Sequence, residues 1–345
     1  MKAALLRGIE ELIYGDFPTP KAGRGQLLVK VKACAVCGTD IKIFHYGHKL
    51  IQFPRVPGHE LSGEVVEVGE GVSGFSPGDK VQVAAAIPCG ECCSCRRGYQ
   101  SMCENLTAIG YHYDGGFAEY LLVPERVLRN DCVSKIPDGL SFEEAALAEP
   151  LACCINGQEI SGLGFGDTVL VIGAGPMGCL HAQLARIKGA RRVIISEVDE
   201  ERLKVAAFTG ADRLVNPSKE NLAQVIREEN DGRLADQVMV AAGSGQAQAQ
   251  ALEMAGERGV VNFFGGLPKS QPTVTLDTNL IHYGELKVVG THGSSPRHNK
   301  LALHVLASGA IKGKDYITAA FPLSQIRNAL AAAESRKGLK IIVKP

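Results

Sequence analysis

Apolar and polar residues alternate in short runs over the first 150 residues of the chain, and glycine or proline separates the runs. Residues 27–33, 63–68 and 79–83 are three of them. Alternation with a period of two between turn residues is typical of β-strands buried on one face. The pattern predicts a mostly antiparallel, partly open β-barrel with few long helices.

The pattern changes near residue 160, where continuous apolar runs alternate with helical periodicity. The run at 168–172 is typical of a strand buried on both faces. Glycines follow it, and then a helical pattern places Met177, Leu180 and Leu184 on one face. Further strands are expected at 193–195, 214–215, 238–240, 260–264 and 286–289. This order predicts an α/β fold, a doubly wound Rossmann domain with six parallel strands.

The segment after residue 293 has a different pattern. It predicts helices at 300–308 and 323–335 and a closing strand at 340–343. We expect this tail to rejoin the first domain. The predicted catalytic domain therefore spans 1–155 and 294–345, and a nucleotide-binding domain at 156–293 is inserted into it.

Composition and charge narrow the functional classes. The 345 residues are 45% hydrophobic, and 37 basic residues balance 37 acidic ones. A neutral chain lacks the electrostatic footprint of proteins that bind nucleic acid or anionic membranes. No apolar run approaches the roughly 18 residues of a membrane-spanning helix, and the amino-terminal apolar stretch is too short for a secretory signal. We expect a cytoplasmic protein with neither kind of partner.

Four of the eleven cysteines share a regular spacing. Cys89, Cys92, Cys95 and Cys103 form C-x2-C-x2-C-x7-C, and Cys93 interrupts the repeat. Disulfides are rare in a reducing cytoplasm, and four thiolates on one short loop can close a tetrahedron around Zn²⁺. The spacing predicts a structural zinc site with no open position.

A G-x-G-x-x-G motif follows the strand at 168–172 and opens a helix. Its glycines allow a tight turn, close approach to a pyrophosphate and helix–strand packing, and the helix N-terminus attracts the anion. Glu197 ends the next strand, 24 positions after Gly173. A carboxylate there accepts hydrogen bonds from the adenosine ribose and repels a 2′-phosphate, which predicts NAD as the cofactor. The motif residues are Gly173, Gly175, Pro176, Met177 and Gly178.

Cys37 and the pair His59-Glu60 indicate a metal site only when they are considered together. A thiolate, an imidazole and a carboxylate, with a fourth position left to water or substrate, are the ligands of a catalytic Zn²⁺. Such an ion polarises a bound alcohol and lowers its pKa. The three residues therefore predict a second, catalytic zinc site.

These motifs together resemble the zinc-dependent medium-chain dehydrogenase/reductase family, in the branch of sorbitol (L-iditol) and threonine dehydrogenases. The resemblance covers essentially the whole chain and implies a GroES-like catalytic domain beside the Rossmann domain. The matching segments are 37–40, 58–60, the four-cysteine loop, 115–120, 149–151 and 171–178.

The resemblance also implies roles for individual residues. Cys37 and His59 would bind the catalytic zinc, and Glu60 would be a ligand or lie next to the ligands. Glu149 would hold the zinc water or bind the metal in turn. Thr39 would pass on the alcohol proton, and Arg202 would lie beside the adenine. Dimers or tetramers are usual in this family.

The chain departs from the family in two places. Lys42 stands where many members have the histidine that ends the proton relay, and Ala152 stands where simple alcohol dehydrogenases have another zinc-binding cysteine. The last step of the relay therefore stays open.

Substrate residues carry no linear motif. Ser294 and Arg297 follow the last parallel strand, where ligands of open α/β sheets bind, and they would suit an anionic group on the substrate. Phe44 and His45 are further candidates for the pocket wall. The leading hypothesis is a zinc- and NAD-dependent enzyme that oxidises a secondary alcohol of a polyol, sugar alcohol or sugar acid, neutral or phosphorylated, to a ketone.

Two alternatives remain. One is the oxidation of a 2-amino-3-hydroxyacid, as in L-threonine 3-dehydrogenase. The other belongs to a different class, a non-catalytic zinc protein that senses NAD. Family members of that kind lack the Cys37 and Gly58-His59-Glu60 motifs, which this chain keeps.

Overall fold

The computed structural model describes residues 1–345, which fall into two units. One unit comprises Met1–Ala152 and Gly293–Pro345, and the other comprises Cys153–His292. The predicted boundary after residue 155 lies three residues from the observed one, and the boundary before residue 294 lies one residue away.

The secondary-structure elements are numbered along the chain. The strands are β1 (Lys2–Leu6), β2 (Leu12–Asp16), β3 (Leu27–Ala35), β4 (Glu60–Val68), β5 (Lys80–Val83), β6 (Ala86–Ile87), β7 (Thr107–Ala108), β8 (Tyr120–Val123), β9 (Val133–Lys135), β10 (Thr168–Ile172), β11 (Arg192–Ser196), β12 (Arg213–Val215), β13 (Ala235–Val240), β14 (Ala255–Phe263), β15 (Lys287–Gly290), β16 (Ile317–Pro322) and β17 (Lys340–Lys344). The α-helices are α1 (Gly38–Tyr46), α2 (Cys93–Arg96), α3 (Glu125–Arg129), α4 (Phe142–Ala146), α5 (Ala148–Ser161), α6 (Pro176–Ile187), α7 (Glu200–Ala206), α8 (Leu222–Glu229), α9 (Gly245–Met254), α10 (Thr278–Gly284), α11 (Pro296–Ala307) and α12 (Ile326–Glu334).

A seven-stranded sheet forms the centre of the first unit. Its order is β16-β17-β3-β4-β5-β9, and β8 also pairs with β3. All pairs in it are antiparallel except β16 with β17. The central strand β3 buries residues on both faces instead of alternating cleanly, because other strands and the core cover it. The tail that follows residue 293 supplies β16 and β17 of this sheet.

The second unit contains the predicted six-stranded parallel sheet. Its order is β12-β11-β10-β13-β14-β15, and every neighbouring pair is parallel. The central strand β10 is buried at all five positions, as its continuous apolar run predicts. The order reverses beside β10, which is where a doubly wound sheet binds its ligand. The predicted fold class is therefore confirmed.

Two predicted helices differ from the observed ones at their starts. The helix expected at 300–308 begins earlier, at Pro296, because proline suits the first turn and Ser295 with His298 forms a capping box. The helix expected at 323–335 begins with a single 3₁₀ turn, Leu323–Gln325, before α12. None of the helices has the length and apolar character needed to cross a membrane.

Candidate active site and cofactor site

Three candidate zinc ligands of the first unit meet where β3 and β4 lie side by side. Cys37 follows the end of β3, and His59 immediately precedes β4. The antiparallel register pairs Ala35 with Glu60, which brings the two motifs together. One ligand atom each of Cys37, His59 and Glu60 lies within 4.8 Å of the others. These three residues are called the Cys37 cluster below.

Asp40 lies against this cluster and was missed as a site residue. Its Oδ2 accepts a hydrogen bond from the Cys37 backbone N–H at 2.9 Å, and its Oδ1 lies 3.3 Å from Nδ1 of His59. The side chains of Asp40 and His59 are both buried. Ligand histidines commonly place their second ring nitrogen against a carboxylate. Asp40 therefore orients the imidazole so that Nε2 remains for a metal.

The electrostatics of the Cys37 cluster favour a cation. Burial alone would lower the pKa of the His59 imidazole, but the pKa is raised because atoms of Tyr111, Asp40 and Cys37 favour the charged ring. Asp40 Oδ1 and His59 Nδ1 form an ion pair at 3.3 Å whose geometry falls short of a hydrogen bond. A thiol, an imidazole and a carboxylate gathered in the interior are ligand types that Zn²⁺ prefers, so the donor set fits Zn²⁺.

Lys340 is a second residue that the sequence prediction missed. Its Nζ lies 2.5 Å from each carboxylate oxygen of Glu60, and both residues are almost fully buried. Burial alone would lower the pKa of Lys340. Glu60 and Cys37 together raise it by more than burial lowers it, so the net pKa is raised. The ammonium group stays charged, and the Glu60 carboxylate lies next to both Lys340 and the other two residues of the Cys37 cluster.

The other predicted catalytic residues lie nearby but not in the cluster itself. Thr39 Oγ1 is 3.6 Å from the Sγ of Cys37. Glu149 lies in the first turn of α5 and is not among the three residues whose ligand atoms meet. Lys42, at the place of the missing relay histidine, is exposed on α1.

The four predicted structural ligands also come together. The sulfur atoms of Cys89, Cys92, Cys95 and Cys103 all lie within 4.8 Å of one another. Two of the separations are 4.0 Å and 3.9 Å. A tetrahedron with Zn–S bonds of 2.3 Å places its sulfurs about 3.8 Å apart. The loop is thus shaped for a zinc ion bound by four thiolates.

Backbone N–H groups prepare this loop for thiolates. Hydrogen bonds from the N–H groups of Glu91 and Cys92 lower the pKa of Cys89 to about 6. Burial instead raises the pKa of Cys95 to about 12. The backbone N–H groups thus favour the thiolate at Cys89, whereas burial opposes it at Cys95.

The dinucleotide motif of the second unit has the expected geometry. Gly173 has φ +107°, and a Cβ on Gly178 would lie 1.8 Å from the Gly173 carbonyl oxygen, so only glycine permits the helix to pack so closely. Gly175 caps α6, whose first turn contains Pro176 and Met177. The residues present therefore suit the backbone approach that a pyrophosphate requires.

Glu197 stands at the edge of this motif. Its Oε2 accepts a hydrogen bond from the Ala174 N–H at 3.0 Å, and its Oε1 accepts from the Val198 and Asp199 N–H groups. The Arg202 guanidinium lies 3.7 Å from the same carboxylate. Glu197 also lines a cavity of about 220 Å³ next to Gly173. The carboxylate is held in place before any ribose binds.

The predicted substrate residues Phe44 and His45 make contacts with neighbouring segments. The ring nitrogens of His45 lie 2.8 Å from a carboxylate oxygen of Glu10 and 3.2 Å from one of Glu334, and the Arg327 guanidinium lies over the Phe44 ring. Both side chains of α1 thus contact α12 or the β1–β2 turn.

Ser294 and Arg297 occupy different surroundings at the start of α11. Ser294 is buried, and its Oγ accepts a hydrogen bond from Asn299 Nδ2 at 3.3 Å. Arg297 is exposed, with Nη2 2.9 Å from Nε2 of the adjacent His298. The Ser294 hydroxyl is thus engaged by Asn299 of α11, whereas the Arg297 guanidinium remains accessible to solvent.

The chain matches two sequence families, each in one part. Residues 23–138 match the family described as alcohol dehydrogenase GroES-like domain, and residues 176–308 match the family described as zinc-binding dehydrogenase. Among curated relatives, D-arabitol-phosphate dehydrogenase of Enterococcus avium is 34% identical over 340 residues, which are 97% of this chain and 94% of that protein. L-threonine 3-dehydrogenase of Yersinia pestis is 33% identical over 350 residues, 99% of each.

Solved structures agree over the same length. A zinc-binding dehydrogenase structure from Sinorhizobium meliloti, bound to NADP, has a TM-score of 0.92 and 34% identity and covers 100% of this chain and 99% of its own. An alcohol dehydrogenase of Escherichia coli in complex with NADH has a TM-score of 0.90 and 28% identity, with the same coverage. Galactitol-1-phosphate dehydrogenase of Escherichia coli has a TM-score of 0.90 and 26% identity and covers 100% of both chains.

The fold and the two sites define a zinc-binding oxidoreductase that uses NAD(P) and acts on alcohols. The chain belongs to the zinc-dependent medium-chain dehydrogenase family.

Proposed function

We propose that this enzyme oxidises a secondary hydroxyl of a polyol, sugar alcohol or sugar acid to a ketone and transfers the hydride to NAD. The buried Cys37 cluster carries the proposal. The four-thiol loop suits a structural zinc ion, so a second group with one thiol, one imidazole and one carboxylate is not needed for a structural role. When zinc is bound there, it supplies the Lewis acidity that lowers the pKa of an alcohol.

The side chains around the cluster have separate tasks in this proposal. Cys37 and His59 hold the ion, and Asp40 fixes the imidazole orientation. Glu60, paired with Lys340, places a carboxylate beside the ion without leaving an unpaired buried charge. The Thr39 hydroxyl accepts the proton of the substrate alcohol and passes it toward solvent, and Glu149 adds negative charge at the edge of the site.

A panel of alcohols tests the proposal. The panel contains neutral sugar alcohols, their phosphates, sugar acids, 2,3-butanediol and L-threonine, and NADH formation is followed by absorbance. We expect the highest kcat/KM with a polyol or polyol phosphate. Cys37→Ser should abolish the reaction, whereas Cys93→Ser should leave it unchanged. No NADH formation with any alcohol would contradict the proposal.

Oxidation of L-threonine is the second candidate. The Yersinia pestis relative that carries this name is 33% identical over nearly the whole chain. Lys42 argues against it, because threonine dehydrogenases have a histidine at that place. A kcat/KM for L-threonine above that for every polyol would favour this alternative.

NAD preference, oligomeric state and location complete the proposal. The Glu197 carboxylate, held by three backbone N–H groups, supports NAD over NADP.

The strand β15 lies at the edge of the parallel sheet. Its outer side is the surface through which two copies would pair in a dimer or tetramer. Size-exclusion chromatography with light scattering tests this oligomeric state. None of the eleven cysteines forms a disulfide, which supports a reducing compartment such as the cytoplasm.

A further inference from the structure

Tyr111 is an aromatic residue beside the Cys37 cluster, outside the residues assigned to the proposed reaction. Its ring centroid lies 5.6 Å from that of His59. It belongs to the tight turn 108–113, in which the N–H groups of residues 111, 112 and 113 all point at the Ala108 carbonyl oxygen. Of the three aromatic side chains at 111–113, His112 accepts a hydrogen bond from the Ala108 N–H, and Tyr111 and Tyr113 both pack against the core. Only Tyr111 has a ring contact with His59 among the contacts of these three.

Two glycines hold this turn against the loop that carries His59. Gly110 has φ +78°, and a Cβ there would lie 3.1 Å from the Gly58 carbonyl oxygen. Gly58 itself has φ +94°. The backbone of the turn can therefore approach the residue before His59 closely, and this approach places the Tyr111 ring beside the imidazole.

The Tyr111 hydroxyl lies within electrostatic reach of the cluster. Burial raises the pKa of this phenol, the His59 imidazole opposes the rise, and Cys37, Asp40 and Glu149 add to it. A phenol is neutral near pH 7 because its ordinary pKa is about 10, so the hydroxyl is a neutral hydrogen-bonding group in a site of charged ones. The residue keeps part of its surface accessible, so a ligand can reach it.

The His48 imidazole also contacts the Tyr111 ring. Its centroid lies 5.2 Å from that of Tyr111, with the planes at 76° in an edge-on contact. The Leu50 N–H donates to Nδ1 of His48 at 3.3 Å, which orients the imidazole. The two ring contacts restrain the orientation of the Tyr111 ring.

We propose that Tyr111 is a specificity-determining residue, whose hydroxyl binds the substrate hydroxyl on the carbon next to the one that is oxidised. This inference rests on the proposed function. A polyol offers such a vicinal hydroxyl, and a simple secondary alcohol does not. A neutral group that both donates and accepts suits a neutral hydroxyl better than an ammonium or carboxylate.

The test compares Tyr111→Phe with the matched control Tyr113→Phe. Each variant is assayed with the polyol of highest kcat/KM and with the analogue that lacks the hydroxyl next to the oxidised carbon. We expect Tyr111→Phe to lower kcat/KM for the polyol at least about tenfold, mainly through KM, and to change the analogue less than about threefold. Tyr113→Phe should change neither.

Zinc content and the thermal unfolding midpoint of both variants provide readouts that do not depend on turnover, and we expect them to equal those of the unmodified protein. An equal loss for polyol and analogue, or no loss for either, would overturn the inference while the proposed function stands. Loss of zinc from Tyr111→Phe would also overturn it, because the residue would then support the metal site. An unmodified enzyme that oxidises no polyol would contradict the proposed function itself.

Discussion

At the scale of single residues, the candidate active site depends on charges that are buried only because they are paired. The pair between Lys340 and Glu60 is the clearest case, since the side chains are 5% and 1% exposed. A buried ion pair adds little net stability by itself, but removing one partner leaves an uncompensated charge in the interior.

We predict that Lys340→Met lowers the free energy of unfolding by about 3–5 kcal/mol. The control Lys344→Met breaks the more exposed pair with Glu143 and should cost less than about 1 kcal/mol. Urea unfolding measures both. Equal losses in the two variants would show that the Lys340 charge is not needed to compensate Glu60.

The preference for NAD over NADP is also assigned to a single residue, Glu197. We predict that Glu197→Ala lowers kcat/KM for NAD at least about tenfold and changes the value for NADP less, because the ribose loses its acceptor. Glu200→Ala, at the exposed start of α7, serves as the control and should leave both values unchanged. Similar kcat/KM for NAD and NADP in the unmodified enzyme would contradict this assignment.

At the scale of elements, three segments meet at His45 on α1. Hydrogen bonds to Glu10 raise the pKa of His45, and Glu334 on α12 adds to the rise. A raised pKa in the folded state stabilises the protein fully below the unfolded pKa of about 6.5, and the contribution is lost as pH rises through the folded pKa.

We therefore predict that the unmodified protein loses more stability than His45→Gln as pH rises from about 6 to 8. Thermal unfolding midpoints of the two proteins across this range measure the difference. Parallel pH profiles would mean that His45 does not link α1 to α12 through its charge.

The four-cysteine loop is the second element with a testable pH dependence. Zinc competes with protons for the thiols. Because the pKa of Cys89 is lowered to about 6, we predict that a chelator removes this zinc much faster below about pH 6 than at pH 7.5. Cys92→Ser should bind one zinc fewer per chain, whereas Cys93→Ser should bind the same number. Metal analysis that finds equal zinc in all three proteins would contradict the assignment.

At the scale of the whole molecule, the sequence predicted what is encoded locally. The spacing of Cys89 to Cys103 and the glycines at 173–178 lie within single loops, so the pattern alone indicates their chemistry. Lys340 could not be found in this way, because it reaches Glu60 across 280 residues through the pairing of β17 with β3. Phe44 and His45 were assigned to a pocket from residue type, and only the packing of α1 on α12 shows which way they face.

Transfer of deuterium tests the central claim most directly. The polyol with the highest kcat/KM is labelled with deuterium on the carbon that is oxidised, and the NADH formed by the zinc-loaded enzyme is analysed by mass spectrometry. We predict one deuterium per NADH, together with a ketone product. NADH without deuterium, or no NADH at all, would contradict a zinc- and NAD-dependent oxidation of the alcohol.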